Sequence, residues 1–283
     1  MSIPPPPDIE STVRLALQED VGAGDLTASL VPAEVQGHAR VITREAAVIC
    51  GVAWVDAVFR QLDPAVRVEW HVADGAHVRP NDLLFEAQGP ARPLLTGERT
   101  AINFLQTLSG TATQTHRYVE AIKGTGCRIL DTRKTVPGLR LAQKYAVLCG
   151  GGRNKRIGLY DGILIKENHI ATAGSIGAAV AAARQLPGRV PVEVEVETLD
   201  ELEEAFAANA DLALLDEFSL ADLAEGVRRN RLRARPLELE ATGGVDLNTV
   251  GAIAATGVDF ISVGSITKHV RAIDLSMRLA LGR

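Results

Sequence analysis

Apolar residues recur along this chain in two rhythms, one helical and one of short unbroken runs, and the way they alternate changes near Gly110. Before that point, apolar positions in Ile9 to Gln18 follow helical spacing and predict an amphipathic helix, which a Gly/Asp turn cluster, Asp20 to Asp25, brings to an end. Gly37 to Thr43, Val66 to Val72 and Leu83 to Ala87 read as strands, with a turn at Ala73-Asp74-Gly75. Ala101, Ile102, Leu105 and Leu108 give Thr96 to Ser109 a helical face that leads into the next domain.

Beyond Gly110 six apolar runs stand out: Cys127 to Asp131, Gly162 to Lys166, Val190 to Val196, Leu212 to Asp216, Leu237 to Ala241 and Phe260 to Val263. Each is nearly continuous, as expected of strands covered on both faces. Gly177 to Leu186, Leu199 to Ala208, Leu220 to Asn230 and Leu247 to Thr256 are rich in Ala, Leu and Glu and read as intervening helices, with Asp246 placed to cap the last. Repeated βα units give an α/β fold with a parallel sheet. Six strands favour closure into a barrel, which periodicity alone does not decide.

Composition narrows the function classes. A chain of 283 residues, 46% hydrophobic and 23% charged, is ordinary for a globular protein, and two domains are expected. No apolar run reaches the length of a membrane span, and Met1 to Asp8 is a proline tract without the basic and apolar regions of a signal peptide; the expected location is the cytoplasm. Cys50, Cys127 and Cys149 show no CxxC pair and read as buried free thiols. A net charge of -5 gives no general attraction to nucleic acid or membrane, so an anion site requires a local concentration of cations.

Such a concentration exists. Arg133, Lys134, Arg140, Lys144, Arg153, Lys155 and Arg156 fall in one stretch without a single Asp or Glu. Arg140 and Lys144, spaced i and i+4, read as a solvated helix face. Arg133, Lys134, Lys155 and Arg156 lie instead beside glycines and turns, where backbone approaches a ligand closely and arginine can hold a carboxylate with both arms. The strand ends carry polar groups too: Asp131 to Lys134, Lys166, Glu195 and Glu197, Asp216, Thr242-Gly243-Gly244, and Gly264-Ser265. Six strands ending this way point to a shared site at the carboxyl rim, although any one charge can equally mark a strand emerging into water. Thr242-Gly243-Gly244 and Gly264-Ser265 can cradle a phosphate or serve as plain connecting loops. Glu195 and Asp216 suit Mg²⁺, or an ion pair with Lys166 or Lys134. His169, next to Lys166, is placed to orient a neighbour; His71 and His77 lack any metal-binding spacing.

At these residues the chain closely resembles the quinolinate phosphoribosyltransferases. The matching stretches are Glu19 to Thr27, Gly97 to Thr113, Asp131 to Arg140, Gly150 to His169, Val192 to Leu199, Leu214 to Phe218, and the ATGGVD and SVGSITK segments near the end. The resemblance implies an N-terminal open α/β sandwich domain over 1–111, joined by 272–283, and a six- or seven-stranded parallel α/β barrel over 112–271. It implies transfer of the phosphoribosyl group of phosphoribosyl pyrophosphate (PRPP) to quinolinate, with loss of CO2, in NAD biosynthesis. By analogy Arg133, Arg156 and Lys166 contact the pyridine dicarboxylate, and Arg99 completes the pocket of a neighbouring subunit in a homodimer or larger assembly. Lys134, Glu195 and Asp216 face PRPP and Mg²⁺, while Gly243, Gly244, Gly264 and Ser265 hold the 5′-phosphate. Where the family usually has His before the arginine of GGGxNHR, this chain has Lys155, which keeps a positive charge and loses the imidazole's near-neutral titration. Lys155 is read as an anion contact, and a general-acid role there is left unsupported.

Rival readings are a Schiff-base aldolase acting on sugar phosphates through Lys166 and a phosphoribosyltransferase-like protein associated with molybdenum transport. The intact DTRKT and LIKENH stretches argue against the second. The strands around Asp74-Gly75 to Leu84 resemble lysine-bearing carrier domains, but the turn tip has no lysine.

Overall fold

The computed structural model describes residues 4–188 and 190–282, so Met1 to Ile3 of the proline tract lie outside the described residues. In chain order the first elements are α1 (Ile9–Val21), β1 (Gln36–Thr43), β2 (Ala47–Val48), α2 (Val52–Leu62), β3 (Arg67–Trp70), β4 (His77–Val78), β5 (Leu83–Pro90), α3 (Ala91–Ala121), β6 (Arg128–Leu130) and α4 (Arg140–Cys149). Then follow β7 (Ile163–Ile165), α5 (Glu167–Ala173), α6 (Ile176–Arg184), β8 (Val192–Val196), α7 (Leu199–Ala207), β9 (Leu212–Asp216), α8 (Leu220–Arg231), β10 (Glu238–Thr242), α9 (Val250–Ala255), β11 (Phe260–Ser262), α10 (Ser265–Lys268) and β12 (Leu275–Leu281).

The chain divides into two compact units. The first takes residues up to His116, Thr135–Gly151 and residues from Ile266 onward; the second takes Arg117–Lys134 and Gly152–Ser265. In the first unit a sheet of order β12-β1-β5-β3 is antiparallel throughout. Alternate residues of β1 are buried, so one face of this strand packs on the core. Ile9, Val13 and Leu17, one helical turn apart, bury one face of α1 in that core, together with Trp54, Phe59 and Phe85. Sequence periodicity did not reveal α2, whose start is secured from a distance: Asp74 Oδ1 accepts hydrogen bonds from Gly51 N (2.8 Å) and Val52 N (3.1 Å).

The helix α4 belongs to this first unit. Tyr145 Oη donates to Asp74 Oδ2 at 2.8 Å, and its ring packs on Trp54 with centroids 5.6 Å apart. Six consecutive residues, Ala142 to Val147, are buried, which corrects the expectation of a solvated face. Lys144 is 1% exposed, and Arg140 is half-buried with its Nε donating to Thr135 Oγ1 at 3.2 Å. The helix is enclosed on every side, so i, i+4 spacing of two cations carried no information about solvent. Of the three free cysteines only Cys50 is fully buried; Cys127 and Cys149 are partly exposed.

In the second unit six parallel strands run in the order β6-β11-β10-β9-β8-β7. A parallel bridge between Leu130 and Arg153 adds a fragment of a seventh strand beside β6. The hydrogen-bonded order is linear, so the ladder leaves the ring open between Arg153 and β7. The sheet nevertheless curls into a barrel. Four strand spacings of about 4.8 Å separate β6 from β8 in a flat sheet, roughly 19 Å. Lys155, whose backbone N–H is held by Asp131 just after β6, reaches Glu193 of β8 at 3.1 Å. A lysine side chain spans that gap only if the strands bend round to meet it. Ser175, Thr198 and Ser219 cap α6, α7 and α8 by accepting from the backbone of the first turn. The turn before α9 is held by Asp246 Oδ1, which accepts from Asn248 N and Thr249 N.

Candidate active site

Register sorts the residues of β8, β9 and β10 by face. Neighbours in a parallel ladder share a face, so Glu193 and Glu195 on β8 face the same way as Leu212 and Leu214 on β9, and as Glu240 and Thr242 on β10. The inner side of this barrel therefore carries carboxylates where a packed barrel carries branched apolar side chains.

Three groupings result. In the first, Lys155 Nζ donates to both Glu240 oxygens, at 2.8 and 2.7 Å, and pairs with Glu193 Oε2 at 3.1 Å. These side chains are 10%, 0% and 12% exposed respectively. Burial pushes the Glu240 carboxyl above its ordinary range, against the opposing charge and hydrogen bonds of Lys155. In the second, Lys166 Nζ donates to both oxygens of Glu195, at 2.8 and 2.5 Å. His169 holds the start of α5 by accepting from Lys166 N through Nδ1 at 3.0 Å, so it does orient its neighbour. The third centres on Arg156: burial first, and the positive charge of Arg133 next, draw its guanidinium below its usual range. Glu193 and Asp161 act in the opposite direction.

The loop carrying Arg156 is held from within. Asp161 accepts from Ile157 N (2.7 Å) and Gly158 N (2.9 Å), while Arg156 Nη1 donates to Gly162 O at 3.2 Å. A cavity of about 440 Å³ opens beside it, lined by Arg153, Lys155, Arg156 and Glu193 and by Leu212, Glu238 and Phe260. The last three begin β9, β10 and β11, so this cavity lies toward the amino ends of those strands, and Lys134, Lys166 and Asp216 do not line it.

The loops expected to hold a phosphate are also brought to named neighbours. Gly243 (φ 91°) and Gly244 (φ 53°) adopt left-handed conformations, and a Cβ on Gly243 would lie 2.7 Å from the carboxyl carbon of Glu217. Glu217 is itself left-handed at φ 56°, and its N–H donates to Thr242 O at 3.1 Å. Lys134 lies along the last loop, its Cδ 3.2 Å from where a Cβ on Gly264 would be. Ser265 Oγ lies 3.3 Å from Tyr118 Oη. Asp216 ends β9, half-buried, and among the described residues its carboxylate has no hydrogen-bond or ion-pair partner. Arg99 belongs to α3 in the first unit, where it is exposed and lines a cavity of about 470 Å³ with Asp20, Asp25 and Thr27.

Sequence reasoning did not select Glu193, Glu240, Glu217, Tyr118 or Asp161. A usable signal existed for two of them. Glu193 lies two positions before Glu195, hence on the same strand face, and Glu240 shares a strand face with Glu238 in the run Leu237 to Ala241.

Models of the quinolinate phosphoribosyl transferase N-terminal and C-terminal domains match residues 25–109 and 111–278. The nicotinate-nucleotide pyrophosphorylase (carboxylating) of Mycobacterium leprae is 42% identical over 275 residues, covering 95% of this chain and 96% of the relative. The chain belongs to the quinolinate phosphoribosyltransferase family. A further member, the quinolinate phosphoribosyltransferase (decarboxylating) 2b of Nicotiana tabacum, is 37% identical over 291 residues, covering 96% of this chain and 82% of its own. The structure of the nicotinate-nucleotide pyrophosphorylase from Francisella tularensis superposes with a TM-score of 0.94 at 49% identity over 97% of each chain. Family membership thus agrees with the fold of both units, each taken by itself.

Proposed function

We propose that this chain transfers the phosphoribosyl group of PRPP to quinolinate with decarboxylation, giving nicotinate mononucleotide, CO2 and pyrophosphate. The observation that carries the reading, beside membership of the family, is that Arg156, anchored on Gly162 O, lies within reach of the charge of Arg133, in a barrel whose strands also hold Lys166 on both oxygens of Glu195. Two guanidinium groups repel each other, and a ligand with two adjacent carboxylates relieves that repulsion.

Both reactants are anions, so the site must first offset their mutual repulsion and hold them in attack geometry. Arg133 and Arg156 take the quinolinate carboxylates, with Lys166 beside them. Lys134 and the Thr242–Gly244 and Gly264–Ser265 loops take the phosphates of PRPP. The ring nitrogen then bonds to the anomeric carbon as the bond to pyrophosphate breaks. The nitrogen, now quaternary, accepts the electron pair released when the neighbouring carboxylate leaves as CO2, and the ring carbon takes up a proton. Lys155 enters the reading as a further cation of the site.

Glu195 and Asp216 suit Mg²⁺, which favours one or two carboxylates completed by substrate phosphate oxygens. The open carboxylate of Asp216 fits that role, and no cluster of three or more acidic, His or Cys side chains able to hold a metal occurs among the described residues. When bound, Mg²⁺ neutralises the departing pyrophosphate.

The reading also takes the enzyme to be a cytoplasmic homodimer or larger assembly in which Arg99 completes a neighbouring chain's pocket. No helix of the described residues is long and apolar enough to cross a membrane. Mixing Arg99→Ala with Lys166→Ala chains should restore part of the activity through hybrid sites; no recovery despite subunit exchange removes the Arg99 assignment.

The deciding assay is CO2 release that depends on quinolinate, PRPP and Mg²⁺ together. Its absence, with borohydride trapping of a sugar phosphate on Lys166, would favour the aldolase instead. The two contacts from Lys166 to Glu195 mark an ion pair rather than a free nucleophilic amine.

A further inference from the structure

Lys155 links the end of β6 to β8 and β10 across the barrel. The Lys155 backbone N–H donates to Asp131 Oδ1 at 2.9 Å, and Asp131, fully buried, stands two positions before Arg133. Lys155 itself immediately precedes Arg156. Its ammonium donates to both oxygens of Glu240 and forms an ion pair with Glu193 Oε2 at 3.1 Å. Two carboxylates around one ammonium leave this spot with an excess of negative charge, which suits a guanidinium neighbour and disfavours a dicarboxylate ligand. The segment also needs an anchor. It follows Gly150-Gly151-Gly152, with Gly151 at φ 88°, and glycines leave a chain more freedom to lose than any other residue.

We propose that Lys155 is a positioning residue: by bridging Asp131, Glu193 and Glu240 it fixes the separation of Arg133 and Arg156 that the two quinolinate carboxylates require, and it does not itself touch the substrate. This rests on the quinolinate reading and replaces the direct anion contact expected of Lys155 from the family resemblance. It also accounts for lysine at a position where histidine is usual. A long side chain can cross the barrel interior from the β6 edge to β8 and β10, and it brings the charge those two buried carboxylates need.

The test compares Lys155→Met, Glu240→Gln and the double variant by steady-state kinetics and by calorimetry of quinolinate binding. Positioning predicts that either single change weakens quinolinate about tenfold or more, alters the KM for PRPP less than about threefold, and that the double variant is no worse than the poorer single one. A direct contact predicts a different pattern: Lys155→Met weakens quinolinate, whereas Glu240→Gln, which frees the ammonium, leaves binding unchanged or tightens it. That result overturns the proposal. If Lys155→Met fails to fold, Glu240→Gln alone still decides between the two patterns. Hydrogen exchange gives a readout independent of substrate. Amides of residues 153–156 should exchange faster in Glu240→Gln than in wild type, while those of β9 do not; equal rates overturn the proposal. Should the wild-type chain neither bind nor turn over quinolinate, the functional reading falls and the exchange comparison still judges the anchor.

Discussion

In the first unit Trp54, Phe59, Leu84, Phe85 and Leu105 fill the interior, and apolar side chains from α1, α2, β1, β5 and α3 pack on them. In the second unit the inner face of the strands carries Glu193, Glu195, Glu240, Thr242 and Ser262, with Lys155 and Lys166 reaching their carboxylates. The contrast separates two uses of a protein interior. An apolar core gains stability in proportion to the area it removes from water. A buried set of charges is poor at stabilising a fold, because desolvation offsets most of what pairing returns. The second unit keeps such charges because polyanionic reactants need fixed partners held away from competing water.

The contrast can be broken from either side. Trp54→Ala should cost about 3–5 kcal/mol of stability, read by chemical denaturation, with the quinolinate KM of the remaining folded protein unchanged. Arg156→Ala or Arg133→Ala should do the opposite, removing about 2–5 kcal/mol of substrate binding while the denaturation midpoint stays near that of wild type. Unchanged kinetics would strike both arginines from the site. A smaller effect is expected at Gly243, where the left-handed backbone makes Ala cost about 1–2 kcal/mol. Gly243→Ala should raise the KM for PRPP and leave that for quinolinate alone; a rise confined to quinolinate would move the phosphate loop elsewhere.

The smallest effect concerns pH. Burial raises the folded-state Glu240 carboxyl above its ordinary value of 4.5, so folding takes up a proton there as pH increases past that value. The stability Glu240 supplies is complete below the unfolded-state value and is lost as pH climbs through the folded one. Glutamine at this position does not titrate. Wild type should therefore lose stability relative to Glu240→Gln as pH rises above the ordinary carboxylate range, measured by denaturant titration across that rise, and a difference that stays constant would show that Glu240 keeps an ordinary affinity for protons.

Much of this was legible in the sequence for identifiable reasons. Strands such as Leu212–Asp216 are runs of branched or aliphatic residues closed by a charge, and the structure places that strand at the bounds the pattern marks. Lys166 and Glu195 stand at strand ends and do meet. The helix α2 is not predicted, and α4 reads as a helix with a solvated face although six consecutive residues of it are buried. Lys144, one of those six, misled. The partner of Lys155 was hidden because Glu240 lies 85 positions further along the chain, and only the curl of the sheet brings the two together. Local pattern encodes which face a residue occupies; it does not encode which distant strand that face will confront.

The unlaced seam between Arg153 and β7 has a mechanical meaning. Elsewhere in the ring, shifting a rim loop drags on a hydrogen-bonded ladder to either side. At this one opening, the turn from Arg156 to Gly162 is braced chiefly by its own Asp161, like a hinge leaf fastened along a single edge. Substitutions there can shift Arg156, and with it the grip on the dicarboxylate, without breaking a ladder in the hoop of strands.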